Sequence, residues 1–264
     1  MRSVSTGPPR ALVRSLIDGP SQVAWVEWHE EVASTQLRAK EAARDGAPEI
    51  HVVLADVQTA GRGRLGRAWH APAGTSLLAS CVLRPTAGAG SLTLLPLLAG
   101  LALAEVVERY CDGAALKWPN DLLLHDRKAA GMLVEGPLPG GAVVLGLGVN
   151  VDWRGMPRPA GAAEATSLAE VSGADVDRWR VLAAFLGVFG RRYRDWQEHP
   201  VGFLDDYRRR CATIGRRVRG RRPEGGVVEG LAEDVGDDGA LGVHDDAGMR
   251  HRIAAGDVAH VRPV

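Results

Sequence analysis

The apolar positions of the chain change period several times, and each change predicts an element. Ser34 can cap a helix running to about Arg44, closed by Asp45-Gly46. Residues 51–57, rich in valine, and residues 76–84 read as strands. A helix spans roughly residues 91–110. Short strands follow at 115–118, 122–125, 130–135 and 142–151, separated by turns at Pro119-Asn120, Asp126-Arg127 and Pro139-Gly140. From Asp177 the period becomes helical. Leu182, Phe185, Leu186, Phe189, Tyr193 and Trp196 recur at steps of three and four, which is the core-packing face of an amphipathic helix. Residues 201–211 predict another helix. Beyond Gly215 the pattern breaks into short β-like pieces at 227–232, 239–244 and 251–261 with no lengthy apolar run, and these would fit a small barrel.

The fold class is therefore α+β, with a mixed or antiparallel sheet flanked by helices and a small C-terminal β-barrel. We expect three segments: a loose leader at 1–22, rich in Ser, Pro and Arg; a large domain at 23–213; and the small barrel at 214–264.

Composition narrows the class. The chain has 264 residues, 45% hydrophobic and 24% charged, with a formal net charge of zero. No global field draws it to nucleic acid or membrane. Residues 85–104 carry no charge, but Pro85 and Pro96 interrupt them. The strongly apolar part, 92–104, is short for a bilayer and reads as a buried helix. Cys81, Cys111 and Cys211 make no CxxC pair, which argues against a disulfide framework or a cysteine zinc site and suits a reducing cytoplasm. Eight arginines lie between Arg208 and Arg222, a pattern that alone could bind nucleic acid, but eight acids follow between Glu224 and Asp246. A solvated, ion-paired surface is the expected outcome.

Candidate chemistry centres on Gly61-Arg62-Gly63-Arg64-Leu65-Gly66-Arg67, preceded by Gln58-Thr59-Ala60 and followed by Trp69. Glycines let a backbone approach a ligand, and arginines supply forked, permanently charged donors. The loop suits a phosphate, a carboxylate or a mixed anhydride, although a nucleic-acid contact or a linker has the same composition. It buries little apolar area, so free-state disorder is expected. Of 32 basic residues only Lys40, Lys117 and Lys128 are lysine. Lys117 opens Lys-Trp-Pro-Asn-Asp (117–121) and Lys128 lies in Arg-Lys-Ala-Ala-Gly (127–131). A compact charge on a flexible stem is useful where charge moves during a reaction. Lys40 is expected on the exposed side of its helix. No G-x-S-x-G elbow or paired Cys/His marks an enzyme nucleophile.

Together with Ser34-Thr35 and Gly146-Leu147-Gly148-Val149-Asn150, these motifs resemble the bacterial biotin protein ligases, in the family's order and over residues 25–264. One position departs: Gln36 stands where the family usually has Asn. The resemblance implies a class II synthetase-like catalytic domain with an SH3-like barrel. It also implies ATP-dependent activation of biotin, with Mg2+, to biotinyl-AMP, and transfer to a lysine of a biotin carboxyl carrier domain. On this resemblance Ser34, Thr35, Gln58, Arg62, Arg64 and Gly131 bind biotin, with Ser34 a helix cap as well or instead. Arg64, Arg67, Trp69, Asn120, Asp121, Lys128 and Asn150 bind nucleotide, with Trp69 stacking on adenine or packing in the core. Lys128, Arg64 and Arg67 carry the catalysis, and no protein metal site is implied. Lipoate ligases and octanoyl transferases, which share the fold, are the nearest alternative. The segment before the catalytic pattern is too short for a helix-turn-helix, so a monomeric or homodimeric cytoplasmic ligase without a repressor role, nucleic-acid partner or membrane partner is expected.

Overall fold

The computed structural model describes residues 7–19, 22–159, 161–221, 226–254 and 257–260. Its centre is a seven-stranded sheet of β1 (Trp25–Val32), β2 (His51–Gln58), β3 (Ser76–Leu83), β4 (Ala114–Lys117), β5 (Asp121–Leu124), β6 (Arg127–Glu135) and β7 (Val143–Asn150). Their order is β1-β2-β3-β7-β6-β5-β4. Only β1 and β2 run parallel; the other pairs are antiparallel. The sheet is mixed, as expected.

Alternation along the central strands assigns the two faces. Leu54, Cys81, Leu83, Leu145 and Leu147 join the main core, packed with α3 (Leu95–Val107) and α5 (Arg178–Glu198). Val53, Val82 and Val144 point the other way, onto Ala39 and Ala43 of α2 (Thr35–Arg44). That helix covers only part of its face. Ser80, Gly146, Gly148 and Asn150 share the face beyond it and floor a cavity.

Helix α3 is apolar on nearly all sides because it is surrounded, with Glu105 its one charged residue. Among the described residues the window Gly90–Val107 is long and apolar enough to cross a membrane, yet 67% of it is buried inside the protein. Phe185, Phe189, Tyr193 and Trp196 of α5 stack in succession with ring centroids 5.4–5.6 Å apart, on the face that the periodicity predicts. At the other end of α5, Arg178 meets Asp56 of β2 at 2.6 Å, both nearly buried.

Several expectations need correction. Residues 10–17 of the supposed leader form α1 (Arg10–Ile17), which docks Leu16 into the core. Residues 1–6, 20 and 21 lie outside the described residues. Strand β1 and the short α4 (Leu168–Ser172) were not foreseen. β1 is a half-exposed edge strand with three glutamates, so no clean alternation marks it. Lys40 is not a free surface amine. It lies 2.6 Å from Glu135, and its side chain is only 16% exposed.

After α6 (Leu204–Arg210) comes a separate five-stranded antiparallel sheet of β8 (Arg217–Arg221), β9 (Val227–Val235), β10 (Leu241–His244), β11 (Arg250–Ile253) and β12 (Asp257–His260). Its order is β11-β10-β9-β8-β12. The predicted strand at 251–261 is thus two strands. Among the described residues no pairing joins β11 to β12, and the strands of the expected small barrel form a five-stranded antiparallel sheet. Hydrogen bonds hold this region to the larger sheet. Ala212 N–H donates to Leu116 O at 2.8 Å, and Trp118 Nε1–H donates to Gly239 O at 2.8 Å. Arg208, Arg217 and Arg219 pair with Asp237, Asp246 and Glu229 of the acidic run that follows, while Arg209, Arg210 and Arg216 pair with Asp206, Glu108 and Asp126 outside it, so the surface is ion-paired as expected but only partly by those acids.

Candidate active site

The cavity on the α2 face has a volume of about 1060 Å3. Every residue singled out for the site lines it: Ser34, Thr35, Gln58, Arg62, Arg64, Arg67, Trp69, Asn120, Asp121, Lys128, Gly131 and Asn150. They come from β2, β5, β6, β7, the start of α2 and the loop after β2, so the sheet order assembles them.

One end is a closed polar network. Ser34 occupies the N-cap position of α2, but its hydroxyl makes no capping bond and is buried without a partner. Gln58 does the capping, since Thr35 N–H donates to Gln58 Oε1 at 2.8 Å. The Thr35 hydroxyl lies 3.1 Å from the same oxygen and 2.9 Å from Ser80 Oγ. Ser80 Oγ is 3.1 Å from Gln36 Oε1. Gly146 is required beneath it, because a Cβ there would come within 2.5 Å of Gln36 Oε1.

The other end is built on two glycines. Gly131 of β6 and Gly148 of β7 are cross-strand partners. A Cβ on Gly148 would sit 2.6 Å from the Trp69 indole, and one on Gly131 would sit 3.1 Å from it. The indole therefore lies directly on bare backbone, with Nε1 buried and unpartnered. Lys128 reaches over the ring, Nζ 5.5 Å from its centroid, and ion-pairs with Asp121 at 2.7 Å. A β-bulge aims this lysine. Leu122 faces Ala130 but Leu123 faces Lys128, so Ala129 is an extra residue. In a regular strand residues 128 and 131 would point to opposite faces. The bulge turns Lys128 over Gly131, a use typical of bulges beside active sites.

Residues 164–166 clamp the bulge from outside. Lys128 N–H donates to Glu164 O at 3.2 Å, and Thr166 N–H to Lys128 O at 2.8 Å. Asn150 Nδ2 donates to Thr166 O at 2.9 Å, which leaves its buried Oδ1 without a partner.

The glycine/arginine loop is a short hairpin. Trp69 N–H donates to Gly61 O at 2.9 Å, and Gly63 N–H to Arg67 O at 2.7 Å. Leu65 and Gly66 turn the tip with φ of 54° and 72°. Arg64 Nη1 donates to Asn120 Oδ1 at 3.2 Å, and Asn120 is itself held by Met132 O at 2.8 Å. Arg62 and Arg67 also line the cavity, as do Arg216, Arg217 and His260 of the C-terminal region. Burial, with Lys117 and Arg216 close by, pushes the His260 imidazole down to about 4.

Sequence reading missed Ser80, the packing role of Gln36, and the C-terminal part of the cavity lining. Ser80 sits inside an apolar strand with nothing local to mark it. Arg216 and His260 lie in short segments far from every motif.

Comparison with known proteins agrees with this geometry. The sequence model of the Biotin/lipoate A/B protein ligase family matches residues 25–152, and that of the Biotin protein ligase C terminal domain matches residues 213–261. The biotin–[acetyl-CoA-carboxylase] ligase of Mycobacterium tuberculosis is 37% identical over 96% of this chain and 95% of its own. The bifunctional ligase/repressor BirA of Bacillus subtilis is 34% identical over 88% of this chain and 72% of its own. The biotin protein ligase of Aquifex aeolicus, solved in complex with biotin and ATP, superposes with a TM-score of 0.78 at 30% identity, covering 90% of this chain and 99% of that one. With motif order, sheet architecture and cavity all in agreement, the chain belongs to the biotin protein ligase family and is a ligase.

Proposed function

We propose that this cavity activates biotin with ATP and passes the biotinyl group to a lysine of a biotin carboxyl carrier domain. The observation that carries the reading is the position of Lys128. It stands between a closed polar pocket and an indole laid on two glycines, with arginines lining the cavity.

The polar end suits a cyclic urea, which must find partners for a carbonyl and two N–H groups once buried. Ser34, Thr35 and Gln58 meet them, with Arg62, Arg64 and Gly131 along the acyl chain. Trp69 offers its ring to adenine, and the unpartnered Asn150 Oδ1 suits an amino or hydroxyl donor of the nucleotide. In the first step a biotin carboxylate oxygen attacks the α-phosphorus, and the bond to the β-phosphate oxygen breaks to release pyrophosphate. Lys128, Arg64 and Arg67 offset the negative charge that gathers at that junction, while the cavity holds the reactants in line. In the second step the carrier lysine amine attacks the acyl carbon and AMP departs.

Magnesium bound to a nucleotide needs one or two carboxylates and takes its other ligands from phosphate and water. Asp121 fits that role, with Asn120 beside it. Among the described residues no cluster of three metal-ligating side chains forms a site independent of the nucleotide. We take residues 23–213 as the catalytic unit and 214–264 as an accessory unit that completes the cavity lining, in a cytoplasmic enzyme.

ATP–pyrophosphate exchange with biotin, lipoate and octanoate supplied separately tests the reading. Exchange driven by biotin alone, followed by biotin-sized mass gain on an added carrier domain, is the expected result. Exchange driven by lipoate or octanoate would reassign the substrate.

A further inference from the structure

We infer that Gln36, through Ser80, sets the hydrogen-bond polarity of the closed pocket end and so acts as a specificity-determining residue; this rests on the biotin reading above. Gln36 is 4% exposed on the first turn of α2. Its Nε2 lies 3.1 Å from Val144 O and 3.4 Å from Leu133 O. Carbonyl oxygens only accept, so the amide can face them only with its NH2 group, and both protons are used. Oε1 is therefore fixed on the opposite side, against Gly146 and 3.1 Å from Ser80 Oγ.

A carbonyl oxygen facing a hydroxyl forces that hydroxyl to donate. The Ser80 proton is thus spent on Gln36, and Ser80 can only accept from its remaining neighbour. That neighbour is the Thr35 hydroxyl at 2.9 Å. Thr35 has one proton and two acceptors in reach, Ser80 Oγ and Gln58 Oε1. Either choice uses it inside the protein. Gln58 Oε1 is already turned to Thr35 N–H, which leaves the Gln58 NH2 group as a donor at this end, beside the unpartnered Ser34 hydroxyl. The free capacity of Thr35 and Ser80 toward a ligand is then acceptance, and that of Gln58 is donation. A ring carrying N–H groups beside one carbonyl matches this pattern; a ring of the same shape without N–H groups does not.

Gln36 touches other protein groups with both ends of its amide, so its effect passes through Ser80. Replacing it by methionine keeps length and bulk but frees the Ser80 proton. Replacing Ser80 by alanine removes that proton. Calorimetric titration of Gln36→Met, Ser80→Ala and the double variant with biotin, and with biotin methylated on its ureido nitrogens, reads the claim. Thermal melts would verify that each variant is folded. We expect each single variant to bind biotin about tenfold more weakly, as for loss of one hydrogen bond. The double variant should lose no more than the worse single one, because both act on the same proton. Preference for biotin over the methylated ring should shrink in all three. Full affinity in Ser80→Ala, additive losses in the double variant, or undiminished preference in Gln36→Met would overturn the inference while leaving the biotin reading intact. A parent protein that fails to bind biotin would overturn both.

Discussion

At the scale of single residues, the site depends on which atoms have been left bare. Lys128 has Asp121 as its partner in the free protein, so its charge is held in place before substrate arrives. Lys128→Gln should reduce biotin-dependent pyrophosphate exchange by about 100-fold or more, the scale of a lost charge-stabilising donor, while biotin binding measured by calorimetry stays within a few-fold. Exchange at the parent rate would remove Lys128 from the chemistry. Gly148 tests the nucleotide end independently. A methyl group there would lie 2.6 Å from the Trp69 ring and must lift it from the sheet. Gly148→Ala should weaken ATP binding about tenfold, as for loss of one aromatic stacking surface, with little change in biotin affinity. Equal ATP affinity would show that the indole does not serve the nucleotide.

At the scale of elements, the hairpin of residues 61–69 and the strap of residues 164–166 do different work. The strap is bonded to the Lys128 backbone on both sides and is part of the frame. The hairpin has its own backbone bonds, and Arg64 reaches from it to Asn120. Such an element can close over an anion and keep water from a reactive anhydride. Arg64→Ala should release biotinyl-AMP several-fold faster in a chase experiment, and biotinylation of bystander proteins should rise. An unchanged adenylate lifetime would mean that the hairpin does not act as a lid. The composition of this loop says nothing of Trp69, whose seat on the sheet anchors one arm.

At the scale of the whole molecule, His260 joins the two sheets. Trp118 N–H donates to Thr213 Oγ1 at 3.0 Å, and the Thr213 hydroxyl shares a hydrogen bond with His260 Nε2 at 3.0 Å. With its folded value pushed down to about 4 from 6.5, the imidazole stays neutral in the native protein while the unfolded chain takes up a proton sooner. The unfolded state then binds more protons between those values, so stability is full above about 6.5 and falls as the pH drops toward 4. Urea midpoints measured from pH 7 to pH 4.5 should decline, and His260→Gln should flatten that decline. Parallel curves for the two proteins would remove His260 from the linkage. Near the lower end Glu27 adds its own loss. Burial raises its carboxyl, but hydrogen bonds from Arg38, His29 and His51 outweigh this and hold it below the usual value, so its contribution fades only once it protonates.

The sequence by itself determined the inventory of the site and the faces of the long elements. The glycine/arginine loop, Lys128 in an arginine-dominated chain, Asn150 after two spaced glycines and the aromatic stripe of α5 are local patterns, and local patterns are what spacing encodes. Tertiary structure decided what each part touches. Gly146 and Gly148 look alike in sequence, yet one makes room for Gln36 and the other for Trp69. Ser34 holds a capping position, but Gln58 caps the helix from 23 residues away, which frees the serine hydroxyl. Lys128 reaches its face only because of a bulge whose register depends on β5. The C-terminal sheet reaches the cavity because distant contacts, among them Trp118 to Gly239 and Arg216 to Asp126, fasten it there. Each of these turns on pairing between strands and loops distant along the chain. No periodicity within a segment specifies such pairing; burial of the shared core and satisfaction of backbone polar groups select it.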